Sequence, residues 1–163
     1  MSLQNSVRSS RRLVCRILAA VLFSSGLFVM NGTSQAVTPL DTELLQVMEA
    51  SAAAWTAGKL DDFMTVYENT PQTTYVSGGK VVKGYAAIRA MYAERFGSAS
   101  APGQLGALTL DVLETRPLGA DYALFIGRYH LLPAPGKQEY TGLFTLVFHR
   151  AGGQWHIVND HSS

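Results

Sequence analysis

The chain has 163 residues, 47% hydrophobic and 15% charged, which fits one globular domain plus a leader and excludes wholesale disorder. A single Cys excludes a disulfide framework. Residues 1–36 carry Arg8, Arg11, Arg12 and Arg16 and no acid, while the other 127 residues carry 9 basic and 12 acidic side chains. The folded part thus lacks the cationic excess of a nucleic-acid-binding surface.

The four arginines precede Ile17 to Met30, a run of 14 residues interrupted only by Ser24, Ser25 and Gly26. A helix of that run spans about 21 Å, short of the roughly 30 Å hydrocarbon core. A secretory signal fits better than a span, with Ser34 and Ala36 as the small residues before a cut after Ala36. The expectation is an exported, periplasmic or secreted chain, with residues 1–36 as signal peptide and 37–163 as one domain. An organelle transit peptide or an uncleaved membrane anchor is the alternative. Cys15 would leave with the signal, removing thiol nucleophiles and thiolate metal sites from the mature chain.

Thr38, Pro39 and Asp41 have the pattern of an N-cap, a first-turn Pro and an acid at the positive helix end. Leu44, Val47, Met48, Ser51, Ala52 and Trp55 then recur at helical spacing up to Gly58. A short second helix is predicted from Leu60 to Tyr67. Thr73 to Val76 and Val81 to Val82 read as short extended pieces around Ser77–Gly79, and Tyr85, Ile88, Met91, Tyr92, Arg95 and Phe96 as a third helix closed by Gly97. Ser98 to Gly106 is a loop. The period then changes to two: Leu108–Thr115, Tyr122–Leu132, Tyr140–Arg150 and Trp155–His161 are four strands joined by short turns, which favours antiparallel neighbours. The fold class is therefore α+β, with helices packed on one face of a sheet. In the third of these strands Phe144, Leu146 and Phe148 point one way and Leu143 and Val147 the other, so a second subunit is expected to cover the outer face.

No strong catalytic motif is present. Gly78, Gly79 and Lys80 lack P-loop spacing, and His130, His149, His156 and His161 form no metal-ligand pattern, so no cofactor or metal is implied. Period two puts Trp155, Ile157, Asn159 and His161 on one strand face and His156, Val158 and Asp160 on the other. If Trp155 and Ile157 face the helices, Asn159 and His161 share that interior, where they could orient a polar ligand group or move a proton. A paired network tying the last strand to the helices is the plainer reading. Arg128 shares a face with Tyr122, Leu124, Ile126 and His130 and needs a carboxylate partner or a bound anion. Tyr67, Tyr75, Tyr92 and Tyr129 suit the wall of a mostly apolar pocket for a small hydrophobic or amphipathic molecule, or ordinary core packing.

The mature region, about residues 41–163, resembles the nuclear transport factor 2-like superfamily and, within it, SnoaL-like domains of unassigned activity. The resemblance is carried by Trp55 and Asp61, by Val82, Gly84, Tyr85 and Ile88 entering the third helix, by Gly142 to Phe148, and by the ending Trp155, Ile157, Val158, Asp160, His161 and Ser163. It implies a cystatin-like, cone-shaped roll of three helices on a strongly curved, mainly antiparallel sheet, often dimeric, with a pocket at one end. It also implies two kinds of function. One is a ligand-binding or association module, like the association domain of calcium/calmodulin-dependent protein kinase, which has a His matching Asn159 and an Arg matching Ser162. The other is a cyclase- or isomerase-like enzyme acting on a small carbonyl compound, with His161, Asn159 and Tyr92 as catalytic candidates and Tyr67, Tyr75, Tyr129, Arg128 and Trp155 around the ligand. An isomerase-like site uses a Tyr and two acids, and the alternation turns Asp160 away from the Trp155 face.

Overall fold

The computed structural model describes residues 38–97, 104–133 and 138–163. The expected signal peptide, with Cys15, and most of the Ser98–Gly106 loop lie outside the described residues.

Helix α1 (Pro39–Thr56) starts as its sequence dictates. Thr38 Oγ1 accepts from the Asp41 N–H at 3.2 Å, and Asp41 Oδ2 accepts from the Thr38 N–H at 2.6 Å. This reciprocal pair satisfies two backbone donors and places an acid at the positive helix end. Leu44, Met48, Ser51, Ala52 and Trp55 form its buried stripe. Helix α2 (Leu60–Met64) is shorter than expected. Residues 65–68 leave the helix because their backbone pairs with the last strand: the Ile157 N–H donates to Val66 O at 2.7 Å and the Glu68 N–H to Ile157 O at 2.9 Å.

Strands β1 (Thr74–Ser77) and β2 (Lys80–Lys83) form a hairpin whose turn residues Gly78 and Gly79 have φ of 55° and 74°. Two successive positive φ values are what a two-residue turn between right-twisted strands requires. Helix α3 (Tyr85–Gly97) follows, then β3 (Ala107–Pro117), β4 (Tyr122–Leu132), β5 (Tyr140–Ala151) and β6 (Gln154–Ser162). The six strands lie in the order β2-β1-β6-β5-β4-β3, antiparallel throughout except for the β1–β6 pair, which is parallel. The helices pack on one side, α1 against β3 and β6 and α3 against β1 and β2.

Three helices on a mixed, mostly antiparallel sheet agree with the sequence reading, but the strongly curved sheet does not. The sheet is open: β2 and β3 are its two edges, with no pairing between them, and it is neither closed nor strongly curled. Strong curl needs repeated bulges or glycine kinks. Here β4 and β5 pair without interruption from Tyr122↔His149 to Leu131↔Tyr140, and among the described residues the register shifts are at Val112/Glu114 and Val147/Phe148.

The core lies between the helices and the inner sheet face. Phe125, Phe148, Leu44, Met64, Ile88, Leu146 and Ile157 are its largest fully buried apolar side chains. Among the described residues no helix is long and apolar enough to cross a membrane.

Candidate functional site

One backbone irregularity decides which side chains enter the interior. Phe148 pairs with Ile157, but its neighbour Val147 pairs with Asn159, so Val158 is an extra residue in β6. A bulge of this kind exchanges the two faces beyond it. Trp155 and Ile157 face inward before it, and Asp160 and Ser162 after it, opposite Leu146 and Phe144. Strict alternation therefore fails for the expected pair. His161 is exposed on the outer face, and Asn159 is half-buried there, its Nδ2 donating to Thr74 Oγ1 at 2.6 Å. Neither lines the cavity under the sheet, whereas Asp160, expected to face away, does.

That cavity has a volume of about 490 Å³, within the range that takes small organic ligands. Its walls come from α1 (Met48, Trp55), α2 (Phe63), α3 (Tyr92), β3 (Leu108, Leu110) and the inner face of β4–β6. Gly127, opposite Phe144 on β5, is part of the design: a Cβ there would overlap the Phe144 ring and lie 2.9 Å from the backbone oxygen of Asp111.

At the deep end a buried polar chain crosses the apolar wall. Asp160, 5% exposed, accepts at Oδ2 from the Tyr67 hydroxyl at 2.6 Å and at Oδ1 from the Ser162 hydroxyl at 2.7 Å. The hydroxyls of Tyr67 and Tyr92 are 3.2 Å apart. Because the one proton of Tyr67 is already committed to Asp160, Tyr92 is the donor in that contact. Burial raises the pKa of Asp160 above the ordinary carboxylate value, opposed by the hydrogen bonds from Tyr67 and Ser162. Burial, reinforced by the nearby Asp160 charge, pushes both tyrosines well above the ordinary phenol value, so they are neutral donors at neutral pH. The rings hold one another in place: Phe63 and Tyr92 have centroids 4.7 Å apart at 71°, and Tyr75 and Tyr92 5.8 Å apart at 68°.

The other sequence candidates divide between the two faces. Tyr67, Tyr75, Tyr92 and Tyr129 all line the cavity, and the Tyr129 hydroxyl donates to Ser163 O at 3.3 Å. Arg128 does not; it is exposed on the outer face, in register with Asp111 on β3 and Leu143 on β5. Trp155 is buried but sits under α1, where its Nε1 donates to Glu43 Oε2 at 2.8 Å and Arg150 lies over its ring at 4.9 Å. The arrangement missed by sequence reasoning is Asp160 with Ser162. No glycine marks Val158 as an extra residue, so the alternation pattern carries no sign of the bulge.

The model of the SnoaL-like domain matches residues 44–163. The chain belongs to this family. Among solved structures, the SnoaL-like fold of this chain is similar to an NTF-2 like protein of unknown function from Shewanella oneidensis MR-1, with 30% identity and a TM-score of 0.70 over 77% of this chain and 99% of that one. It is similar in fold to a domain of unknown function with a cystatin-like fold from Nostoc punctiforme PCC 73102, at 17% identity and TM-score 0.63, covering 77% and 78% of the two chains. It is also similar in fold to the association domain of C. elegans CaMKII, at 14% identity and TM-score 0.57, covering 76% and 95%. No curated protein matches the chain.

Proposed function

We propose that this SnoaL-like chain is a cyclase- or isomerase-type enzyme that moves a proton next to the carbonyl of a small, largely apolar compound. The observation that carries this reading is the buried Tyr92–Tyr67–Asp160 chain on the wall of a 490 Å³ cavity. In such a site Asp160 takes a proton from the carbon beside the carbonyl. Negative charge develops on the carbonyl oxygen, and the Tyr92 hydroxyl rotates from Tyr67 to donate to it. Tyr67 stays bonded to Asp160 and holds the carboxyl in place. Asp160 then returns the proton to the same carbon or to a neighbouring one. A base whose pKa burial has raised is better matched to neutral pH than an ordinary carboxylate.

Two further parts of the reading concern the state of the chain. It is exported after loss of residues 1–36. It also pairs with a second copy through the outer sheet face, where Leu143 is 44% and Val81 67% exposed.

The test is proton–deuterium exchange beside the carbonyl of small cyclic ketones in D₂O, followed by NMR. Exchange above the buffer rate is expected, falling about 10²- to 10⁴-fold in Asp160→Asn and by a smaller factor in Tyr92→Phe. Ketones that bind the cavity without accelerated exchange would instead make the chain a ligand-binding or association module.

A further inference from the structure

The tyrosine hydroxyls on the cavity wall are not equivalent. Tyr67 donates to Asp160, Tyr92 to Tyr67 and Tyr129 to Ser163 O. Tyr75 also lines the cavity and is half-buried, yet its hydroxyl makes no hydrogen bond among the described residues. Nor is that hydroxyl enclosed: among the described residues, the buried side-chain polar atoms without a partner are Trp55 Nε1 and Arg150 Nε. A hydroxyl that is both reachable and uncommitted exchanges only a water contact when it bonds a ligand.

The place of Tyr75 in the fold sets what it meets. It stands on β1 in register with Asp160 on β6, and both line the cavity. Its ring meets that of Tyr92 edge-on, with centroids 5.8 Å apart, while the Tyr92 hydroxyl turns to Tyr67 instead. Burial first, the Asp160 charge second and Tyr75 third raise the pKa of Tyr92, which also places the two phenols near one another. Thus β1 and α3 bring two O–H groups to one end of the cavity, and converging donors select an acceptor. The acid beside them opposes an anion, so the acceptor they suit is a neutral oxygen. The two donors differ in one respect. Tyr92 must leave Tyr67 to reach a ligand, whereas Tyr75 leaves no protein partner.

We propose that Tyr75 is the donor that binds the neutral carbonyl oxygen of the ligand and holds it beside Asp160 before any proton moves. Tyr92 joins as negative charge develops on that oxygen, when a second donor gains most. The choice of a carbonyl rests on the proposed function; the contact of Tyr75 with a neutral oxygen does not require proton transfer.

The experiment uses tetralone and its exocyclic methylene analogue, in which CH₂ replaces the carbonyl oxygen. Binding of each to the full chain is followed by calorimetry in the parent and in Tyr75→Phe, which keeps the ring and loses the hydroxyl. The variant should bind the ketone about tenfold more weakly and the methylene compound as tightly as the parent does. In the exchange assay Tyr75→Phe should act mainly through KM and Tyr92→Phe mainly through kcat. The infrared carbonyl band of isotope-labelled tetralone bound to the parent should lie below its position in an alkane, and shift part of the way back in Tyr75→Phe. Equal changes for the two compounds in Tyr75→Phe, no change for either, a band at the alkane position in the parent, or no tetralone binding at millimolar concentration each overturns the inference. A chain that loses ketone selectivity in Tyr75→Phe but exchanges no protons refutes the enzyme reading and leaves this one standing. Exchange that survives Tyr75→Phe with KM unchanged does the reverse.

Discussion

Asp160 and His130 sit on opposite faces of one sheet, each bound to two partners, and their surroundings give the same kind of chemistry different uses. Asp160 is enclosed under the helices and accepts from two neutral hydroxyls. Burial dominates its titration, opposed by the hydrogen bonds from Tyr67 and Ser162 and then by the charge of His161. His130 stands on the outer face between two carboxylates, with Nδ1 2.8 Å from Glu139 and Nε2 2.9 Å from Asp111. There the hydrogen bonds, not burial, set the direction of the shift. In the proposed reading the buried acid held by neutral donors exchanges a proton with a ligand, whereas the open histidine is clamped by two acids.

The largest expected effect tests whether the two faces also differ in packing. Phe148 is fully buried on the inner face of β5, while Leu143 on the outer face of the same strand is 44% exposed. Phe148→Ala should cost about 3 to 5 kcal/mol, since it removes an aromatic ring and leaves a cavity. Leu143→Ala should change monomer stability by about 0.5 kcal/mol or less. Urea unfolding of the two variants checks the contrast. Similar losses at both positions would mean that the outer face is covered as completely as the inner one, as a tight pair of copies would do.

This face difference was legible from Phe144, Leu146 and Phe148, because β4 and β5 pair without a bulge and period two holds along them. The α1 start was legible for the same kind of reason: Thr38, Pro39 and Asp41 act within one turn. Asp160 was not. Its direction depends on whether Val158 is counted in the ladder, and that is settled by the pairing of residues 65–68 and β1 with β6, not by residues beside it. The openness of the sheet escaped for a related reason, since curl is a sum over inter-strand registers that no single strand records. All four candidate tyrosines line the cavity: Tyr92 from the buried stripe of α3, Tyr75 and Tyr129 from inward strand positions, and Tyr67 from the segment bridged to Ile157.

A second prediction sharpens the electrostatic half of the comparison. The folded-state pKa of Asp160 is raised by burial, so its favourable contribution is present below the unfolded value and is lost as pH rises through the folded value. The thermal stability of the parent chain should therefore fall, relative to Asp160→Asn, in the window that opens as pH rises above the ordinary carboxylate value. A difference between the two that stays flat across this window would show that Asp160 keeps an ordinary carboxylate pKa, and the proposed base would lose its match to neutral pH.

The smallest effect belongs to His130, and its sign is shared with Asp160 for the opposite reason. Hydrogen bonds to Asp111 first and Glu139 second raise its pKa by favouring the charged form. Both ring nitrogens donate when the imidazole is protonated, whereas the neutral ring can serve only one carboxylate as a donor. The stabilisation is thus complete below the unfolded histidine value and disappears as pH rises through the folded one. His130→Gln should lower the melting temperature at about pH 6, and the difference should shrink as pH rises through the raised folded value, with added salt weakening the low-pH difference because the group is open to solvent. NMR titration of the His130 ring, read beside the melting curves, separates this clamp from a general charge effect: its midpoint should lie above that of a free histidine and fall toward it in Asp111→Asn. A midpoint unmoved by Asp111→Asn would remove the clamp, and with it the outer-face half of the contrast with Asp160.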